Sequence, residues 1–123
     1  MLFAALVTVL AATVIAATTW MAAAGRLRIN PLAGYRFRYF LAGEDAWRAG
    51  HRAALLPTVI GAGALAAGGI ASAVVDTDDS AAACVFGGCG ILLACVVWAT
   101  LRGNRAALDA LATQVDPGTT PGE

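Results

Sequence analysis

The sequence predicts an all-α membrane protein with three transmembrane helices and a cytoplasmic interfacial helix between the first and second. Three observations carry this. Of 123 residues, 59% are hydrophobic and 13% charged, where soluble domains carry roughly 25% charged residues. Leu2–Gly25, Ala53–Val75 and Ser80–Leu101 each contain no charged residue, and each exceeds the roughly 20 residues that cross an apolar layer about 30 Å thick. With no water there to satisfy backbone groups, the spans must be helical. Three such stretches leave too little chain to cover them in a soluble domain.

The first span is not a secretory signal. Nothing basic precedes Leu2, and Arg26 and Arg28 follow the apolar stretch, the reverse of a signal peptide's order. All eight basic residues are arginine. Arg26, Arg28, Arg36, Arg38, Arg48 and Arg52 lie between spans one and two, Arg102 and Arg105 follow span three, and the link 76–79 reads DTDD. The positive-inside rule then puts the amino terminus outside, the 26–52 connection in the cytoplasm and the carboxyl terminus inside. Lysine-free, alanine- and arginine-rich usage points to a high-GC bacterial genome, so the expected location is a bacterial inner membrane, with the lipid bilayer as first partner. Because the arginines already serve topology, no nucleic-acid partner is expected.

The expected membrane domain covers 1–108 and a disordered cytoplasmic tail 109–123, whose end, DPGTTPGE, has no core-forming residues. Within the spans, small residues recur at four-residue spacing, which lets helix backbones approach closely. Ala64–Gly68 and Gly69–Ala73 do so in the second span, Cys84–Gly88 in the third, and Ala4, Thr8, Ala12 and Ala16 form a ridge on the first. Close packing within the bundle, and association with another membrane protein or with itself, are expected from Ala64, Gly68, Gly69, Ala73 and Gly88. Cys84, Cys89 and Cys95 read as small apolar packers; Cys84 and Cys89 are five positions apart, which turns their sulfurs apart on a helix. Neither a metal site nor any cofactor is indicated.

The segment GYRFRYFLAGEDAWRAGHR, residues 34–52, concentrates the charge and the aromatic rings. From Gly43 onward its acids come first and its basic residues later, which suits a helix dipole. Glu44–Arg48 and Trp47–His51 are pairs four residues apart, placed to meet on one helix face. Pro57 marks the expected junction between an interfacial helix and the second span. That interfacial helix would lie along the membrane with Trp47 at headgroup depth. A carboxylate and an imidazole on one face are the minimum for acid–base chemistry. With no activated nucleophile, phosphate loop or ligand cluster beside them, the reading is non-enzymatic: an interfacial helix or a face for partner docking.

Asn30, Gly34, Tyr35, Arg36, Glu44, Trp47, His51 and Arg52 follow the pattern N-x(3)-G-Y-R-x(7)-E-x-x-W-x-x-x-H-R just after a first span. This resembles the SdpI family of small bacterial integral membrane proteins, in motif over about 26–75 and in helix layout over the whole chain. Phe37 stands where the family usually has Thr, and Ala42-Gly43 replaces a serine that would cap the helix, a loss of about 1 kcal/mol. The resemblance implies toxin immunity or envelope signalling, with a peptide toxin or a cytoplasmic regulator as partner. It marks Asn30, Gly34, Arg36, Glu44, Trp47, His51 and Arg52 as candidate site residues. The alternative is a small accessory subunit packed against a larger membrane complex, such as a transporter or respiratory assembly.

Overall fold

A computed structural model describes residues 2–30, 32 and 34–115. Its elements are α1 (Leu2–Ala23), a short 3-10 turn (Phe40–Ala42), α2 (Glu44–Ser72) and α3 (Asp78–Val115). All three α-helices are long and apolar enough to cross a membrane. α2 packs along both α1 and α3, which hardly touch one another.

The bundle is small inside and large outside. Ala12, Ala62 and Leu65 form a mid-helix core with Ala16, Cys89 and Leu92 against it. Leu6, Leu10, Val14, Ile60, Ile70, Phe86, Leu93 and Val97 point outward. Lipid tails are as apolar as leucine, so large side chains gain little by turning inward, whereas small ones let backbones touch. A methyl group on Gly88 would lie 2.8 Å from the Ala64 carbonyl oxygen and 3.1 Å from the Leu65 Cα. Gly68 faces the Cys84 carbonyl, and Gly69, on another side of α2, faces Thr8 of α1. Ala73, half-buried, ends α2 with its N–H on the Ile70 carbonyl, and the Val74 N–H follows on the Ala71 carbonyl. The three cysteines are free thiols.

The separate interfacial helix is not present. Residues 44–52 are the first turns of α2, which runs unbroken through Pro57. Trp47, His51, Ala54, Thr58, Gly61, Leu65, Gly69 and Ser72 are all buried, at steps of three and four that keep one stripe in phase on both sides of the proline. A break there would rotate half of that stripe away from its neighbours. Proline removes one backbone hydrogen bond, which membrane helices tolerate when neighbouring groups compensate. Thr58, next to it, donates its hydroxyl to the Ala54 carbonyl at 2.7 Å.

α3 has 38 residues, about 57 Å at ~1.5 Å per residue, nearly twice an apolar layer of about 30 Å. Its last turns continue past the charge-free stretch and pack against the arginine-rich end of the bundle. Ala107 and Leu111 there join Ala22, Phe40, Ala46 and Trp47 in a second core. The helix runs to Val115, and the remainder of the expected tail, 116–123, lies outside the described residues.

Candidate functional site

The connection from α1 to α2 is tied to both helices. α1 closes with the Ala24, Gly25 and Arg26 N–H groups bonded to the Trp20, Ala22 and Met21 carbonyls, and Gly25 takes a positive φ of 74°, as helix ends commonly do. The Arg48 guanidinium packs over Gly25, where a methyl group would sit 2.7 Å from it. Arg52 Nε donates to the Ala23 carbonyl at 3.0 Å. Two cations of α2 therefore rest on the negative end of the α1 dipole. Beyond it, Trp47 Nε1 donates to the Leu27 carbonyl at 2.9 Å. Asn30 donates to the Arg28 carbonyl and accepts the Leu32 N–H, at 2.8 and 3.0 Å, a side-chain turn of the kind asparagine favours.

Gly34, Tyr35, Trp47 and His51 then form one node. The Tyr35 N–H donates to His51 Nε2 at 3.0 Å, and His51 Nδ1 lies 2.8 Å from the Trp47 carbonyl oxygen. An amide N–H only donates and a carbonyl only accepts, so the imidazole is neutral with its proton on Nδ1. The His51 and Trp47 rings lie 4.2 Å apart. Gly34, at a φ of 93°, crosses directly over them: a methyl group there would be 2.8 Å from His51 Nε2 and 3.0 Å from the Trp47 ring. Only glycine combines that φ with that clearance.

Tyr35 also reaches into the helices. Its hydroxyl lies 2.8 Å from Thr58 Oγ1; Thr58 gives its own proton to Ala54, so the phenol is the donor. Burial raises the Tyr35 pKa above its usual value, opposed by the hydrogen bond to Thr58. Phe40, fully buried, wedges between Gly50 of α2 and Gly103 of α3, both of which it would meet if either carried a Cβ.

The candidate residues thus separate into two sets. Gly34, Trp47, His51 and Arg52 converge on the seam between connection and helices, with Asn30 shaping the turn before it. Arg36 and Glu44 are exposed. Glu44 pairs with Arg28 at 3.3 Å rather than with Arg48, which is engaged at the end of α1. Asp45 accepts from Gln114 of α3 at 2.8 Å. Trp47 is 1% exposed: the connection and the end of α3 cover it, so it does not sit among headgroups. Both His51 nitrogens are committed to backbone groups, and the exposed Glu44 engages Arg28. The packing residues Ala64, Gly68, Gly69, Ala73 and Gly88 lie away from this node, along α2 and α3.

Sequence reasoning missed Phe40, Gly50, Gly103 and the Tyr35–Thr58 bond. The two glycines carried a signal, since glycine inside a helix costs about 1 kcal/mol relative to alanine and persists where close packing requires it. Phe40 carried none that separates it from Phe37.

In comparison with known proteins, the model of the SdpI/YfhL protein family matches residues 26–101. That stretch contains the whole node, Phe40, Ala46 and Trp47 of the second core, and the charge-free part of α3. No curated protein and no solved structure matches the chain.

Proposed function

The chain belongs to the SdpI/YfhL protein family, and from that membership we propose a non-enzymatic multi-pass membrane protein that acts in toxin immunity or envelope signalling by presenting a fixed cytoplasmic docking face. One observation carries this reading. The motif residues Gly34, Trp47, His51 and Arg52 bind the connection to α1 and α2, and the strand of chain so held turns Arg36, Phe37, Arg38 and Tyr39 outward. Holding a basic, aromatic strip in one conformation before the partner arrives removes an ordering cost from binding. An acidic segment of a cytoplasmic regulator complements it. The arginine distribution supports the orientation, with the amino terminus outside and the carboxyl terminus in the cytoplasm of a bacterial inner membrane.

The test compares wild type with Arg36→Gln/Arg38→Gln, both tagged and expressed to equal membrane levels. Expected are a soluble cytoplasmic partner recovered with wild type and lost with the variant, and peptide-toxin survival or partner-dependent transcription lost alongside. An unchanged partner set and unchanged survival would sink the proposal. Orientation is checked in a cysteine-free background carrying one cysteine at position 36. Labelling of that thiol from outside intact cells by an impermeant reagent reverses the assignment.

A second reading, an accessory subunit of a larger membrane complex, is favoured by Gly63, Gly87 and Gly90, where an added methyl group would meet no other part of the bundle within 4 Å. They leave smooth helix surface open to another span. Gly63→Leu would then release an integral-membrane partner while leaving Arg36→Gln/Arg38→Gln without effect.

A further inference from the structure

The arginine-rich end carries two side-chain pairs that none of the above uses. The Arg26 guanidinium stands 5.2 Å from the Trp20 ring centroid, and that of Arg102 stands 5.7 Å from Trp98. Trp20 is in the last turn of α1 and Trp98 one turn before Arg102 on α3. Both rings face outward, 49% and 43% exposed, in contrast to Trp47. Each pair sits where a charge-free stretch of helix ends. We propose that these two Arg-on-Trp pairs are binding points for the phosphate headgroups of acidic phospholipids.

Three features argue for this occupant. Indole rings settle at the depth of the headgroups, so a guanidinium stacked on each is held at the level of lipid phosphate. A guanidinium carries five N–H donors in a planar fork, so one held over a ring keeps donors for a phosphate oxygen, which that fork matches. The local charge is also uncompensated. Among the described residues, the eight arginines share this end with three acids, Glu44, Asp45 and Asp109, and the single ion pair is Arg28–Glu44. A zwitterionic headgroup brings its own cation to such a site, whereas phosphatidylglycerol or cardiolipin brings net negative charge. The α1 pair and the α3 pair lie on the two helices that hardly touch, so they act as separate points.

The test needs only the purified full-length chain, so its outcome is independent of any protein partner. Protein in mild detergent is incubated with equimolar phosphatidylglycerol and phosphatidylcholine, and native mass spectrometry reads the ratio retained. Wild type is expected to favour phosphatidylglycerol. Arg26→Gln and Arg102→Gln should each lower the ratio about five-fold, while Arg28→Gln, which removes the same charge from an ion pair, leaves it unchanged. Trp20→Leu keeps the charge, exposes no core and should also lower the ratio, because Arg26 loses its platform. Equal retention of the two lipids by wild type overturns the proposal. So does an Arg28→Gln loss as large as that of Arg26→Gln, or a Trp20→Leu ratio equal to wild type, since either shows diffuse attraction without paired sites.

Discussion

Replacing Phe40 with alanine should be the most damaging single truncation at the arginine-rich end. Its ring is fully buried, with the His51, Phe37 and Tyr35 rings 5.2, 5.9 and 6.1 Å away. Truncating a buried phenylalanine costs about 3–5 kcal/mol, more where the surroundings cannot close on the cavity. Here two walls are the backbones of Gly50 and Gly103, which have no side chain to turn inward. The α2 and α3 backbones are already close here: a Cβ added to Gly103 would lie 3.0 Å from the Gly50 carbonyl oxygen. The cost should therefore be about 4 kcal/mol, a large share of a total stability of about 5–15 kcal/mol.

The same geometry predicts a coupling. Gly103→Ala places a methyl group against the Phe40 ring and should cost about 1–3 kcal/mol by overpacking. In Phe40→Ala/Gly103→Ala the ring that it strikes is gone, so the double variant should lose less than the two single losses combined, by about 1 kcal/mol. Unfolding of the full chain in mixed micelles, followed by circular dichroism, measures all three variants. A Phe40→Ala loss below about 1 kcal/mol, or strict additivity, would refute the wedge.

Other consequences follow from the node and the helix seam. Gly34→Ala should destabilise by about 2 kcal/mol, through its positive φ and its contact with His51, whereas Gly43→Ala, extended and with open space around it, should change stability by less than about 0.5 kcal/mol; equal effects in the same unfolding assay would remove the reason given for Gly34. His51→Ala leaves the Tyr35 N–H without its acceptor, a loss of about 1–3 kcal/mol if that group stays buried. Hydrogen exchange at the Tyr35 amide should accelerate in step, and an unchanged rate would show that the bond does not hold the connection. Gly68→Leu strikes the Cys84 carbonyl across the α2–α3 seam and should lower the folded yield in detergent, while Gly63→Leu should not; matching yields would mean that the seam is not as close as described.

How much of this was legible in the sequence depends on the range of the force involved. The spans were, because a bilayer imposes length and freedom from charge on any segment that crosses it; α3 contains the whole of its stretch, and α1 and α2 take up all but the last few residues of theirs. Pro57 shows the limit. Its local chemistry argues for a break, but the stripe from Trp47 to Ser72 gains from every contact along α2, and one absent hydrogen bond does not outweigh that. Arg48 is a similar case. A Glu44–Arg48 pair on one helix is worth only about 0.3–0.5 kcal/mol, and the carbonyl end of α1, adjacent only in three dimensions, offers the guanidinium more. Trp47 follows the composition of an interfacial belt, yet the connection that covers it has its own route set by Gly25 and Gly34. Phe37 and Phe40 lie three residues apart in the same connection, one 37% exposed and the other fully buried. Only the glycines opposite, on two different helices, separate them.

The division of the motif has a consequence for reading any loss of function. Gly34, Trp47, His51 and Arg52 face the seam, where they engage backbone carbonyls, an amide and each other. Substituting them removes activity by releasing the connection, so a stability loss must accompany the functional one. Arg36 and Arg38 face outward and support nothing that would unfold, so their substitution removes activity, if they touch a partner, at unchanged stability. Glu44 lies between these cases: its ion pair with Arg28 is exposed, and exposed pairs contribute at most about 1 kcal/mol. A strong functional defect in Glu44→Ala with little loss of stability would therefore assign that carboxylate to the partner face together with the arginines. A defect that tracks stability would return it to the scaffold.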